Sequence, residues 1–236
     1  KKIILLSGPT SSGKSKLAIH LAKKLNGEII NADSMQIYKE FLILSSRPKK
    51  DDMKQVKHHL YGFRSVSKYF SVGDWIRLVK KNINICHKKN KIPIIVGGTG
   101  LYFNAITKGI SKIPNIDTIT REKVRNLYER IGYKKFYHKL LKLDPQVENK
   151  ILPSDSQRVQ RAYEVVFKTK KSIFDWITNT KSEFTNFEIK KIFLDTPRDV
   201  LLKKIISRTE KMFEDNCIGE VKRFNNLNLK NSLSAN

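Results

Sequence analysis

Acidic residues, cysteines and long apolar runs are all scarce in this chain of 236 residues. The two cysteines, Cys86 and Cys217, have no paired spacing and no nearby cluster of histidine and cysteine, so we expect neither a disulfide framework nor a structural zinc site. No stretch approaches the roughly eighteen apolar residues that a transmembrane helix needs, and the opening run 1–6 is too short for a signal peptide. These absences predict a cytoplasmic protein that does not associate with membranes.

The scarcity of acidic residues leaves the chain strongly basic. Lysine and arginine number 47 against 22 aspartates and glutamates, which gives a formal net charge of +25. A positive field of this size favours polyanions, because binding releases counterions from phosphates. A compositional bias towards lysine, asparagine and isoleucine would also raise the charge without any ligand, since charge bears on association rather than on fold. Nucleic acid is the partner that the charge predicts.

Short apolar runs alternate with helical spacing in the first hundred residues. Runs 2–6, 28–32 and 92–96 have the length and composition of buried strands. Residues 14–25 repeat apolar side chains at helical spacing, and residues 71–83 begin with capping-box spacing and continue as a helix face. Strands that alternate with helices predict an α/β fold with a parallel sheet covered by helices on both faces.

The pattern changes near residue 113, where strand signals stop and basic amphipathic helices begin. We predict a core at 1–112, a helical insertion lobe at 113–185 and a return to the core at 186–236. The return contains a predicted strand at 191–194 and a helix that Thr196 and Pro197 begin. The residues expected on the inner face of that helix are apolar: Leu201, Leu202, Ile205, Ile206 and Met212.

A glycine-rich motif lies between the first predicted strand and the first predicted helix. It fits G-x-x-x-x-G-K-[ST] in full and comprises Gly8, Pro9, Thr10, Ser11, Ser12, Gly13, Lys14 and Ser15. Backbone N–H groups of such a loop hold a phosphate at a helix N-terminus, Lys14 adds a positive charge, and the Ser15 hydroxyl can bind Mg²⁺. The fold class is therefore P-loop NTPase-like. A nucleoside triphosphate such as ATP is the usual ligand, but the same donors would hold a diphosphate ester.

Two further segments lie at the predicted carboxyl edge of the sheet, where ligands of open α/β sheets bind. Asp33 ends the second strand, so its carboxylate can accept a proton from a nucleophile or hold a metal through water. It is alternatively a cap or a structural partner of Lys14. The turn at 97–100, which includes Thr99, offers free amides and a hydroxyl, or it simply caps the helix that follows.

Two pairs of polar residues permit more than one interpretation. Adjacent histidines such as His58 and His59 do not face one site, and no other ligand cluster supports a metal there, so we expect them to pack in a loop. Arg158 and Arg161 lie three residues apart on a predicted helix and form a polar face. That face is either solvated or in contact with RNA.

The same segments, taken together and in order, resemble the bacterial and organellar tRNA dimethylallyltransferases, also called isopentenyltransferases. The phosphate loop is similar to that of the family, residues 31–38 (NADSMQIY) to its ADSMQ-type signature, and residues 94–102 (IIVGGTGLY) to its VGGTGLY-type segment. The stretches 143–145, 153–165 and 208–221 resemble later family patterns. Several motifs at the right spacing are more specific than a phosphate loop alone.

The resemblance implies transfer of a dimethylallyl group from dimethylallyl diphosphate to N6 of an adenine beside the anticodon of tRNA. The diphosphate would lie in the phosphate loop with Mg²⁺, for which Ser15 is a ligand, while Asp33 deprotonates the amine and Lys14 and Thr99 act with it. The adenine would be extruded from the anticodon loop. The implied tRNA contacts are Asp33, Ser34, Met35, Gln36, Thr99, Arg121, Gln157, Arg158, Val159, Gln160 and Arg161. We expect a monomer.

The chain departs from the family pattern at three places. Ser46, Arg47 and Pro48 stand where an alanine-lysine-proline run is usual, and Lys57 replaces the proline that ordinarily precedes the histidines. The sequence stops at Asn236, before the glycine-tyrosine-arginine-glutamine motif and the last helices of the family. We therefore expect either a fragment of a longer chain or a naturally shortened member, in both cases with exposed apolar surface.

Three alternative functions remain open from the sequence. An adenylate isopentenyltransferase or a P-loop small-molecule kinase would share the phosphate loop but would need no large basic lobe. An inactive remnant would bind tRNA or phosphate compounds without turnover. Salt-sensitive binding of tRNA argues against the first two, and full activity of this chain argues against the third.

Overall fold

The computed structural model describes residues 1–178 and 180–227, which form two compact units. One unit comprises Lys1–Thr107 and Glu183–Asn236, and the other comprises Lys108–Ser182. The predicted boundaries, after residues 112 and 185, lie a few residues later in the chain. Within the described residues, no helix is both long enough and apolar enough to cross a membrane.

A five-stranded sheet forms the centre of the first unit. The strands are β1 (Lys2–Ser7), β2 (Gly27–Asn31), β3 (His58–His59), β4 (Ile92–Gly97) and β5 (Glu188–Phe193). Their order is β3-β2-β4-β1-β5, and every neighbouring pair is parallel. The predicted α/β fold with a parallel sheet is therefore confirmed. Because all strands run the same way, the loops after β1, β2 and β4 leave the sheet at one edge.

Helices connect the strands and build the second unit. In chain order they are α1 (Lys14–Lys24), α2 (Lys50–Gln55), α3 (Val72–Lys88), α4 (Gly100–Thr107), α5 (Thr118–Leu143), α6 (Ser156–Thr169), α7 (Ile173–Ile177), α8 (Arg198–Glu214) and α9 (Cys217–Asn225). The predicted capping box begins α3: the Asp74 N–H donates to Ser71 Oγ at 3.1 Å, and the Ser71 N–H donates to Asp74 Oδ2 at 2.9 Å.

Helices α1 and α3 cover opposite faces of the sheet. Ile29 packs with Ala18 and Ala22 of α1 in one apolar cluster. The adjacent Glu28 instead accepts a hydrogen bond from Cys86 of α3. Since successive side chains of a strand point to opposite faces, the sheet is covered on both sides, as predicted.

The second unit is helical, and α5 and α6 share its core. The backbone of α5 is not helical at Gly132 (φ 73°, ψ 164°), which divides the helix into two parts. Val124 is buried before this break, and Phe136, Tyr137 and Leu140 are buried after it. Burial of a large apolar side chain contributes roughly 1.5–3 kcal/mol, and this cluster is correspondingly the main support of the unit. Its buried members are Val124, Phe136, Tyr137, Leu140, Val147, Ile151, Val159, Ala162, Tyr163 and Val166.

The prediction of a buried inner face on α8 is wrong. Among residues 198–214 none is buried, and Leu202 and Ile206 are 50% and 58% exposed. The described part of the chain places no layer over these side chains that would exclude water from them. The expected exposed apolar surface is thus present, and its largest members near α8 and α9 are Phe193, Leu202, Ile206, Phe213, Ile218 and Leu227.

Candidate active site

The glycine-rich loop follows β1 and leads directly into α1. Ser11 (φ 57°) and Gly13 (φ 91°) adopt left-handed conformations that turn the chain back on itself. Gly8 packs so closely that a Cβ there would lie 2.8 Å from the Leu194 carbonyl oxygen. The Ser12 N–H donates to the Pro9 carbonyl at 3.4 Å and completes the turn. The loop therefore presents the N-terminus of α1 at the carboxyl edge of the sheet, an arrangement that suits an anion.

Lys14 lies across this loop. Its Nζ donates to the Gly8 carbonyl at 2.8 Å, to the Pro9 carbonyl, and more weakly to Ser12 Oγ at 3.5 Å. Burial lowers the pKa of the Lys14 ammonium, while attraction by Asp33 raises it and repulsion by Arg208 lowers it. Lys14 is thus a half-buried cation whose donors are held within the loop.

Asp33 directly follows β2, and Asn31 fixes its backbone from both sides. The Asp33 N–H donates to Asn31 Oδ1 at 2.8 Å, and Asn31 Nδ2 donates to the Asp33 carbonyl at 2.9 Å and to the Leu60 carbonyl at 3.0 Å. Asp33 Oδ1 accepts from the Met35 N–H at 2.9 Å. The carboxylate is therefore held at the edge of the sheet with one oxygen engaged by the backbone.

Thr99 joins the loop after β4 to the loop after β2. Its Oγ1 accepts from the Ser34 N–H at 2.9 Å and donates to Ser34 Oγ at 3.3 Å. The Thr99 N–H also donates to the Ala32 carbonyl at 3.2 Å. The two predicted segments thus meet, and Thr99 sets the position of the residues that follow Asp33.

Arg208 of α8 reaches the same loop and was not among the predicted site residues. Its Nη1 donates to Thr10 Oγ1 at 3.0 Å. Burial lowers the pKa of the Arg208 guanidinium, and attraction by Asp33 raises it. Two cations, Lys14 and Arg208, therefore lie within the electrostatic reach of one carboxylate.

Ser15 lies on the exposed first turn of α1 and also lines a cavity of about 220 Å³ beside the sheet. Lys16, Ile29 and Tyr61 line the same cavity, whereas Asp33 and Thr99 are not among its described lining residues. Burial raises the pKa of the Tyr61 hydroxyl well above its usual range. The cavity is therefore a mostly apolar space next to the phosphate loop, with the charged residues Lys16 and Asp52 in its lining.

Two residues that follow Asp33, Met35 and Gln36, differ in their exposure to solvent. Met35 is exposed, whereas Gln36 is half-buried and donates through Nε2 to the carbonyls of Ser45 and Ser46 at 2.9 and 3.0 Å. The Gln36 side chain is thus fixed by a second loop. The backbone carbonyl of Gln36 accepts a hydrogen bond from the Gly62 N–H at 2.9 Å.

Two predicted arginines of the second unit, Arg158 and Arg161, line a cavity of about 420 Å³. Arg158 pairs with Asp155 at 3.3 Å, and Arg161 pairs with Glu164 at 3.0 Å. Gln157 lines the same cavity, and its floor is apolar, formed by Ile151, Ile173, Phe174 and Ile177. Lys150 Nζ lies 4.5 Å from the centroid of the Phe174 ring. Cations above an apolar and aromatic floor suit an unstacked nucleobase with its phosphate.

Three other predicted contacts of the second unit lie in different surroundings. Val159 is fully buried in the core, where its side chain packs with residues of α5, and its assignment as an RNA contact stays a prediction. Gln160 is half-buried on the same helix. Arg121 Nε donates to the Ile116 carbonyl at 3.2 Å at the beginning of α5.

The interpretation of the histidines also needs correction. His58 and His59 form the edge strand β3 rather than a loop. His59 Nε2 lies 2.6 Å from Glu28 Oε2, and Cys86 Sγ lies 3.7 Å from the same oxygen. A carboxylate, an imidazole and a thiol, the donor types of metal centres, therefore meet within 4.8 Å. No local sequence pattern indicates this cluster, because Glu28, His59 and Cys86 are far apart in the sequence.

The Glu28 cluster forms a hydrogen-bonded network by itself. Burial opposes ionisation of Glu28, but hydrogen bonding and attraction by His59 outweigh it and lower the pKa of the carboxyl. Burial, together with Glu28, raises the pKa of the Cys86 thiol to about 12. The thiol remains protonated and donates, so the three groups satisfy one another between β2, β3 and α3.

A parallel sheet with a glycine-rich loop before α1 defines an α/β protein of the P-loop type. The family model described as IPP transferase matches residues 36–235, and the chain belongs to that family. It is 51% identical over 235 residues to the tRNA dimethylallyltransferase of Pelagibacter ubique (strain HTCC1062) and covers 75% of it. It is 45% identical over 222 residues to the enzyme of that name from Rickettsia massiliae (strain Mtu5), of which it covers 61%.

Solved structures agree with these relatives. A eukaryotic dimethylallyltransferase acting on tRNA superposes with a TM-score of 0.79 at 29% identity, over 96% of this chain and 56% of that one. The tRNA isopentenylpyrophosphate transferase of Bacillus halodurans superposes with a TM-score of 0.63 at 31% identity, over 98% of this chain and 72% of that one. The fold is therefore that of the family.

Proposed function

We propose that this chain transfers a dimethylallyl group from dimethylallyl diphosphate to N6 of an adenine next to the anticodon of tRNA. Its membership of the IPP transferase family and its relatives named tRNA dimethylallyltransferase support this reaction. The observation that carries the proposal is that Lys14 and Arg208 both donate hydrogen bonds to the phosphate loop, to the Gly8 carbonyl at 2.8 Å and to Thr10 Oγ1 at 3.0 Å, at the same sheet edge where Asp33 follows β2. A proton acceptor thus lies beside a site for an anionic leaving group.

The leaving group is the part of the reaction that the phosphate loop serves. Cleavage of the allylic C–O bond places negative charge on the diphosphate oxygens. Loop amides, Lys14 and Arg208 stabilise that charge, and the amides, which the loop already holds in place, do so without reorganising. Lys14 exchanges its bonds to loop carbonyls for bonds to the diphosphate.

The incoming amine is the part that Asp33 serves. As N6 bonds to the allylic carbon it becomes cationic and must lose a proton. The free oxygen of Asp33 accepts that proton, while the Met35 N–H holds the other oxygen at 2.9 Å. Thr99 fixes Ser34 and thereby the loop that presents this carboxylate.

Mg²⁺ fits the donor set at this edge. The Ser15 hydroxyl and the Asp33 carboxylate are oxygen donors, and Mg²⁺ prefers oxygen ligands, retaining waters and using substrate phosphates. When bound, the ion would neutralise charge on the diphosphate. Ser15 is the ligand on the protein side that the motif favours.

The second unit is proposed to bind the RNA. Gln157, Arg158 and Arg161 surround the larger cavity with hydrogen-bond donors and positive charge. A net charge of +25 strengthens attraction to an anticodon stem-loop. An adenylate isopentenyltransferase or a small-molecule kinase would not need this basic helical unit, and the relatives named above do not favour either.

Incorporation of labelled dimethylallyl from its diphosphate into an anticodon stem-loop RNA, with Mg²⁺, tests the proposal. Adenosine monophosphate serves as the competing acceptor. Label in the RNA supports the proposed function. Label in the mononucleotide alone would support the adenylate enzyme, and binding of both substrates without transfer would support an inactive chain.

A further inference from the structure

Glu220 of α9 has a buried carboxylate, which accepts hydrogen bonds from the backbone of a loop at residues 42–44. Glu220 is 5% exposed. Glu220 Oε1 accepts from the N–H groups of Leu42 and Ile43 at 2.7 and 3.0 Å, and Oε2 accepts from the Leu44 N–H at 2.9 Å. Three successive amides thus share one charged acceptor, and hydrogen bonds to an ionised group are stronger than neutral ones. The residues joined are more than 170 positions apart in the chain.

The loop that Glu220 holds in turn holds the segment after Asp33. Gln36 Nε2 donates to the carbonyls of Ser45 and Ser46 at 2.9 and 3.0 Å. Arg47 Nη1 donates to the Tyr38 carbonyl at 2.8 Å. Residues 42–47 therefore fix the Gln36 side chain and the backbone carbonyl of Tyr38.

Contacts at both ends of α9 place it against the same loop. The rings of Phe41 and Phe224 lie 4.9 Å apart between centroids. Phe224 also packs on the buried cluster that contains Ile37 and Tyr38. Lys49 pairs with Asp215, which precedes α9, at 3.2 Å. Contacts on each side of Glu220 therefore hold it against this loop: the Phe224 ring packs after it, and the Asp215 ion pair lies before it.

We propose that Glu220 is a positioning residue for RNA: through the amides of Leu42, Ile43 and Leu44 it sets the side chain of Gln36. The inference rests on the proposed function, in which Gln36 contacts the tRNA. The phosphate loop is not part of this chain of contacts. Loss of Glu220 should therefore impair use of the RNA while leaving use of the diphosphate unchanged.

Steady-state kinetics of Glu220→Ala and Glu220→Gln test this separation. Displacement of a substrate-positioning group by about an ångström costs on the order of 100-fold in rate, so we expect a loss of about 10- to 100-fold in kcat/KM for the stem-loop. The KM for dimethylallyl diphosphate stays unchanged. Glu220→Gln gives an intermediate loss, because its amide oxygen still serves Leu42 and Ile43 while its NH₂ group faces the Leu44 N–H. Glu214→Gln removes the same charge at an exposed position of α8 and is the control.

Amide hydrogen exchange reports on the loop directly. In Glu220→Ala, the amides of Leu42, Ile43 and Leu44 should exchange faster, while protection of β1 and α1 is retained. A double-mutant cycle with Gln36→Ala tests the route. If Glu220 acts through Gln36, the double variant loses no more RNA activity than the worse single variant.

The outcomes separate this inference from the proposed function. Equal losses for both substrates, or loss of amide protection throughout the unit, would assign Glu220 a purely structural role and overturn the inference. Additive losses in the cycle would overturn the route through Gln36. An inactive wild-type chain would contradict the proposed function, and the inference would then fail with it, even if exchange shows the loop to be held. If Glu220→Ala does not fold, Glu220→Gln supplies the same comparisons.

Discussion

The Ser34 N–H donates to Thr99 Oγ1 at 2.9 Å and thereby ties the loop after β2 to the loop after β4. Neighbouring parallel strands place these loops at one edge, and the Thr99 N–H adds a bond to the Ala32 carbonyl at 3.2 Å. Thr99 thus positions the residues around Asp33 without itself bearing charge. This relationship makes the hydroxyl of Thr99 testable separately from its backbone.

Replacement of Thr99 by valine keeps the branched shape and removes the hydroxyl. The Ser34 N–H loses its acceptor, and a hydrogen bond of this kind is worth about 1 kcal/mol, so kcat/KM for RNA should fall about fivefold. Steady-state transfer assays measure the effect. Thr107→Val is the matched control, because its hydroxyl donates to the Phe103 carbonyl within α4. Equal losses in the two variants would show that Thr99 has no special role.

Replacement of Asp33 by asparagine separates catalysis from binding. The amide oxygen can still accept from the Met35 N–H, so the loop is retained, but the side chain no longer takes a proton. General-base catalysis contributes roughly 10²–10⁴-fold, and kcat should fall by that order while RNA affinity changes little. Single-turnover transfer and RNA binding are the two measurements. Asp199→Asn, at an exposed position, is the control. Near-normal turnover of Asp33→Asn would show that Asp33 has no catalytic role.

Replacement of Arg161 by alanine tests the second unit. If Arg161 contacts RNA, the variant should lose roughly 1–3 kcal/mol of RNA-binding free energy. The plot of log affinity against log salt concentration should become less steep, by about the slope of one phosphate contact. Affinity for dimethylallyl diphosphate should not change. Lys139→Ala removes one exposed charge of α5 and serves as the control. An equal loss in Lys139→Ala would indicate general attraction instead of a specific contact.

Acid stability should depend on Asp117, which caps α5. Its Oδ1 accepts from the Thr120 N–H at 2.7 Å and its Oδ2 from Lys168 Nζ at 2.8 Å. The hydrogen bond from Lys168, followed by those from Thr120, lowers the pKa of Asp117 well below its usual range. A carboxyl with a lowered folded-state pKa stabilises the fold above its unfolded pKa, and this contribution is lost as pH falls through the folded value.

Thermal melts from neutral pH down to strongly acidic pH check this sign. Asp117→Asn keeps the cap but cannot ionise, so its melting temperature should fall less steeply with acid than that of the wild type. Lys168→Met should reduce the acid dependence as well, because it removes the main cause of the lowered pKa. Lys142→Met, at an exposed position of the same unit, is the control. Parallel curves for Asp117→Asn and the wild type would refute the assignment.

The sequence predicts those features that depend on local spacing. The strand, loop and helix around Lys14 and the capping box at Ser71 follow from patterns within a few residues, and the structure confirms these elements. The parallel sheet follows from the alternation of elements along the chain. The resemblance to a known family, carried by residues 31–38 and 94–102, is confirmed by the family model and the relatives.

Features that depend on distant residues were missed. The Glu28 cluster and Glu220 join residues that no local pattern connects, and β3 is too short to give a periodicity. Arg208 lies in a segment whose resemblance to the family was recognised, so that segment was the available signal, but only the fold brings it to Thr10. The family motif predicts Val159 as an RNA contact, although helical spacing places it on the buried stripe.

Detection of the modified base is the most direct test of the central claim. Wild type and Asp33→Asn are incubated with dimethylallyl diphosphate, Mg²⁺ and an anticodon stem-loop, and digested RNA is examined by mass spectrometry. We expect N6-dimethylallyladenosine at the adenine beside the anticodon with the wild type and almost none with Asp33→Asn. Unmodified RNA from a folded wild-type chain that binds both substrates would contradict it.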